Sequence, residues 1–120
     1  MAPNFLNHNG RRRVVVTGIG AVTPVGLSVE EYWQSLIAGK SGLGPITLFD
    51  PTGYTCQIAA ELKNFDPKNY MDGREARRMA RFSQAAVAAA REAIKMSELN
   101  LEQEDLDEVG VLMGNGNGGL

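Results

Sequence analysis

The chain has 120 residues, 43% of them hydrophobic and 22% charged, with a formal net charge of -2. That length allows one small domain at most, and the mild acidity argues against a general nucleic-acid binder. No apolar run approaches the roughly 20 residues needed to cross a bilayer, and the single cysteine, Cys56, excludes an internal disulfide and fits a reducing, cytoplasmic setting.

Residues 1–11 open with MAPNFLNHNG, which lacks the charged and apolar regions of a secretory signal and reads as a flexible leader. The domain proper spans 12–120. Arg12 to Thr17, with Val14, Val15 and Val16 in a row, reads as a buried strand. It breaks into a loop at Thr17-Gly18-Ile19-Gly20, and Pro24 and Gly26 delay the next helix. Ser28 to about Ala38 reads as that helix, with Ser28 as its cap and Glu31 completing a capping box. Tyr32 and Leu36, with Trp33 and Ile37 beside them, supply its apolar face, and Gly39 ends it.

Lys40 to Tyr54 reads as a loop, and the weak alternation from Cys56 to Leu62 as a strand. Asp66-Pro67 has the form of a helix start and leads to a short turn near Tyr70. Gly73 opens a helical stretch, and a long helix is predicted from about Phe82 to Met96. Its centre (Ala85, Ala86, Ala88, Ala89, Ala90) combines high helix propensity with side chains small enough to admit close neighbours, as for a helix between layers. Glu98 to Glu108 is acidic and reads as a solvated connection. Val109 to Met113 reads as a second buried strand, followed by GNGNGGL. This order of elements points to an α/β fold with helices against a sheet.

Three groups of residues could carry chemistry. Gly114 to Gly119 matches G-x-G-x-x-G after a predicted strand, a lone match that allows a nucleotide-binding α/β domain as one alternative. Its plainer reading is a tight turn with close backbone approach. Arg74, Arg77, Arg78 and Arg81 are spaced to share one stripe of a helix. They suit either a phosphate- or carboxylate-bearing partner or a solvated face, and only Arg78 has an acid at helical spacing, Glu75. Cys56 and His8 are an improbable catalytic pair, and Cys56 reads as buried and inert. Two such residues are too few for a common zinc site.

From Arg12 to Leu120 the chain resembles the β-ketoacyl-acyl carrier protein synthases, the condensing enzymes of fatty-acid synthesis. Four segments carry the resemblance in order: RRVVVTGIGAVTPVG from Arg12, FDPTGY from Phe49, REARRMARF from Arg74 and GVLMGNGNGGL from Gly110. Thr23 to Gly26 and the REARRM run look like synthase II; polyketide ketosynthases share the fold. The resemblance implies a thiolase-like α-β-α-β-α layered fold, of which this chain is the start of the first half, and a homodimer. It implies acyl transfer to a cysteine, then decarboxylative condensation with malonyl-acyl carrier protein, with no cofactor and no metal. The nucleophilic cysteine and two histidines are expected beyond Leu120. The isolated chain is therefore expected to be inactive, and poorly stable because its strand edges are open. By the same resemblance Arg74, Arg77 and Arg78 dock acyl carrier protein, and Asn117 occupies an acyl-pocket position that is commonly apolar. Ala80 replaces a common aspartate. The alternatives are a non-catalytic carrier-protein-binding piece and a polyketide ketosynthase fragment.

Overall fold

The computed structural model describes residues 9–116 and 118. In chain order it contains α1 (Val29–Ile37), β1 (Leu43–Pro45), β2 (Ile58–Ala60), a 3-10 turn (Pro67–Asn69), α2 (Gly73–Ala76), α3 (Arg81–Ser97) and a second 3-10 turn (Leu106–Glu108).

The start of α1 follows from its cap. Ser28 Oγ accepts the Glu31 N–H at 3.2 Å, and the Glu31 carboxylate reaches back to the N–H of Leu27 at 2.8 Å, one residue earlier than in the usual capping box. Gly39, at φ +63°, ends the helix in the left-handed conformation that glycine adopts without strain. The buried residue of α1 is Ser35, whose hydroxyl donates to the Val25 carbonyl at 2.6 Å. The expected apolar face is largely open: Trp33, Leu36 and Ile37 are exposed, and only Tyr32 is half-buried.

The predicted loop from Lys40 to Tyr54 contains β1, and the predicted strand from Cys56 to Leu62 shrinks to β2. The two pair antiparallel, Leu43 opposite Ala60 and Pro45 opposite Ile58. Glu61 fastens the chain leaving β1. Its carboxylate accepts the Thr47 hydroxyl at 2.7 Å, the Thr47 N–H at 2.9 Å and the Leu48 N–H at 3.1 Å. These donors, the Thr47 hydroxyl first, favour the ionised form and hold the Glu61 carboxyl below its ordinary value.

Two predicted buried strands do not form. Of residues 12–17 only Arg12 has a bridge position, and Val14, Val15 and Val16 are exposed. Val111, Leu112 and Met113 are exposed as well. Such apolar runs become buried strands when neighbours pair with them and both sheet faces are covered. The one sheet among the described residues is the short β1–β2 pair. Among the described residues, strand pairing is thus limited to β1 and β2. The radius of gyration of 18.7 Å exceeds the about 14 Å of a compact domain of this length.

What is assembled centres on α3. Phe65, Met71, Ala76 and Ala88 are buried, and Phe65 stacks on Tyr70 with centroids 5.5 Å apart. On α3 the first glycine loop lies backbone against backbone. A Cβ on Gly20 would collide with the Ala89 carbonyl, and one on Gly18 with the Ala93 carbonyl. Glu92, between those two alanines, accepts the Ala21 N–H at 2.9 Å and the Val29 N–H at 2.8 Å, tying both the loop and the start of α1 to α3.

The helical stretch from Gly73 breaks before α3. Ala80 is extended (φ -64°, ψ 154°) and serves as the α3 N-cap without a side-chain hydrogen bond. Gln84 Nε2 satisfies the carbonyls left at the break, donating to Ala76 at 2.7 Å and Met79 at 3.2 Å. An aspartate at position 80, the residue the resemblance leads one to expect there, would supply the side-chain cap that Ala80 lacks.

Two substitutions test these contacts by thermal denaturation. Gly20→Ala is expected to destabilise by about 1–3 kcal/mol, because its methyl meets backbone rather than a movable side chain. Ala80→Asp is expected to stabilise by about 1 kcal/mol by supplying the absent cap.

Candidate docking surface and acyl cleft

The four arginines do not form one stripe. The break at Ala80 puts Arg74 on α2, Arg77 and Arg78 in the turn that follows it, and Arg81 at the start of α3. Asp72 caps α2 by accepting the Arg74 N–H at 2.8 Å. The Arg78 N–H donates to the Glu75 carbonyl at 2.9 Å, and this fixes the turn.

The Arg81 guanidinium donates to the Phe65 carbonyl at 3.1 Å and the Leu62 carbonyl at 3.3 Å, and it lies 4.9 Å from the centroid of the Phe65 ring. Arg74, Arg77 and Arg78 are exposed, and among the described residues their guanidinium groups have no hydrogen-bond or ion-pair partner, Glu75 included. All four arginines are exposed, and Arg81 differs from the other three in having backbone and ring partners for its guanidinium. Spacing alone could not find this, because it hid the interruption at Ala80.

FDPTGY forms a polar turn with an aromatic edge. Asp50 accepts the Thr52 hydroxyl at 2.7 Å and the Thr52 N–H at 3.0 Å, and these bonds, the hydroxyl first, lower its pKa. Phe49 and Tyr54 meet edge to face at 6.0 Å. Cys56 is exposed rather than buried, because it precedes β2. Its thiol points to the Ile58 carbonyl at 3.4 Å. His8 lies outside the described residues, as does Asn117. Among the described residues no cluster of His, Cys, Asp and Glu could hold a metal ion.

The second glycine loop also leans on α3. With Phe82, Ser83, Ala86 and Val87 of the helix, Met113 to Gly116 enclose an apolar cleft of about 440 Å³. Asn115 Oδ1 accepts the Gly118 N–H at 3.2 Å.

The family model of the β-ketoacyl synthase N-terminal domain matches residues 11–120. The chain belongs to the β-ketoacyl synthase family. Among relatives of this synthase segment, the 3-oxoacyl-[acyl-carrier-protein] synthase 2 of Synechocystis sp. is 46% identical over 110 residues, which are 92% of this chain and 26% of that protein. The enzyme of the same name from Staphylococcus aureus is 43% identical over 109 residues, 91% of this chain and 26% of that protein. A solved structure, the ishigamide ketosynthase/chain length factor, matches with a TM-score of 0.70 at 42% identity, over 77% of this chain and 23% of that one. The synthase segment thus spans about a quarter of the length of these relatives. The family carries the thiolase-like fold expected from the sequence, of which the described residues form three helices and one strand pair.

The division among the arginines predicts a difference in stability. Arg81→Lys keeps the charge but loses the planar fork and the ring contact, and is expected to cost about 1–2 kcal/mol. Arg77→Lys is expected to stay within about 0.5 kcal/mol. Urea denaturation of the two variants makes the comparison.

Proposed function

We propose that this chain is the amino-terminal part of an acyl carrier protein-dependent 3-oxoacyl synthase of the synthase II type, acting in fatty-acid synthesis, and that Arg74, Arg77 and Arg78 dock the carrier protein. The observation that carries the reading is the exposed state of these three guanidinium groups, unpaired among the described residues, around one turn. Arginine presented in this way suits carboxylates, which it binds bidentately, and the relatives' names supply a carrier protein as the partner.

In the proposed reaction the acyl group passes from the carrier thiol to an enzyme cysteine. Malonyl-carrier protein then loses carbon dioxide, and the resulting carbanion attacks the acyl thioester, extending the chain by two carbons and freeing the cysteine. The cysteine and two histidines of this chemistry are not assigned to any residue of this chain. Cys56, exposed on its loop, has no base beside it among the described residues. The contribution of this segment is recognition: positioning the carrier protein at α2 and, through the loop containing Asn117, lining the acyl pocket. The complete synthase acts as a homodimer in the cytoplasm and needs no metal or cofactor for this reaction. No described helix is long and apolar enough to cross a membrane.

A polyketide ketosynthase role is the second reading, favoured by the likeness to the ishigamide ketosynthase/chain length factor. It keeps the same docking surface and changes the acyl substrate. The nucleotide-binding alternative, raised by Gly114 to Gly119, is not favoured, because that motif lies within the residues matched by the β-ketoacyl synthase family model.

Reversing charge tests the docking surface. Arg77→Glu with Arg78→Glu is expected to weaken acyl carrier protein binding at least about tenfold at low salt, while Arg91→Glu on α3 leaves it unchanged. Equal affinity for the double variant and the parent, measured by calorimetry, would exclude this surface.

A further inference from the structure

We infer that Phe82 is a positioning residue for the acyl pocket and sets how deep the cleft beside the second glycine loop can be. This rests on the reading above that the loop containing Asn117 lines that pocket. Phe82 stands in the first turn of α3, and its ring forms the wall against which the loop rests. A Cβ on Gly118 would lie 3.0 Å from both Cγ and Cδ2 of that ring. Glycine at 118 therefore allows the backbone to seat directly on the aromatic face.

Asn115 fixes the other side of the turn through its bond to the Gly118 N–H. Ser83, Ala86 and Val87 line the α3 side of the cleft with short side chains. Phe82 is the one large side chain on that wall, so its volume controls the room left between helix and loop. Phe82 is 42% exposed and outside the buried cluster of Phe65, Met71, Ala76 and Ala88, so its replacement leaves the core intact.

The test uses the complete synthase, with acyl-carrier protein substrates of graded chain length. Phe82→Leu is expected to raise the ratio of long-chain to short-chain kcat/KM by about tenfold, the scale on which an apolar pocket discriminates a methylene or two. Phe82→Trp is expected to move the ratio the opposite way, and the KM for malonyl-carrier protein stays unchanged in both. Opposite shifts separate positioning from general damage, which would lower all chain lengths together. A second readout needs no activity: Gly118→Ala lowers the melting temperature, and Phe82→Leu in the same chain restores part of the loss. Equal effects on every chain length, or no effect from either variant, would overturn the inference. Asn117→Ile separates it from the reading beneath it. If that variant shifts the profile while both Phe82 variants do not, the pocket stands and the role of Phe82 falls; if none of the three shifts it, the pocket reading falls too.

Discussion

The described structure depends on one constraint, the closeness with which the first glycine loop lies on α3. Gly18 and Gly20 set their backbone on the carbonyls of Ala93 and Ala89, a distance that no side chain on either glycine would permit. Glu92 uses that proximity. Its two carboxylate oxygens reach the N–H groups of Ala21 and Val29, so that one residue of α3 fixes the loop and also the first residue of α1. A carboxylate at a helix N-terminus is favoured by the helix dipole as well as by the hydrogen bond. From this junction follow the seating of Ser35 under Val25 and the direction in which α1 leaves the loop.

The same helix organises the functional surfaces. Its first turn holds Arg81, which donates to the carbonyls of Leu62 and Phe65, and Phe82, which supports the second glycine loop. The break before it, bridged by Gln84, turns α2 so that Arg74, Arg77 and Arg78 point away from the fold. Structural and presented arginines lie side by side in sequence and differ only in what the backbone does at Ala80.

Local signals in the sequence were read correctly where the physics is local. Ser28 with Glu31, Gly39, Asp66-Pro67 and the alanine run of α3 each act within a turn or two, and each appears where expected. The valines at 14–16 and the run from Val111 to Met113 failed as buried strands because burial of a strand is decided by its neighbours, and none pairs with them among the described residues. Cys56 failed for a related reason, since β2 begins two residues later than the alternation suggested. Glu92 could have been suspected as an acid in an otherwise alanine-rich stretch, but its partners lie 63 and 71 residues away and no spacing reveals them. For the docking surface, residue type was legible and geometry was not. The arginine spacing concealed a helix break that removes Arg81 from the set.

The central functional claim is that the turn carrying Arg74, Arg77 and Arg78 meets acyl carrier protein. Its most direct test is amide chemical-shift mapping of the isotope-labelled protein titrated with acyl carrier protein at low and at physiological salt. The account predicts shifts clustered at residues 73–79 that shrink as salt rises. Shifts confined to α1 or the β1–β2 pair, or a response at 73–79 that salt does not reduce, would contradict it.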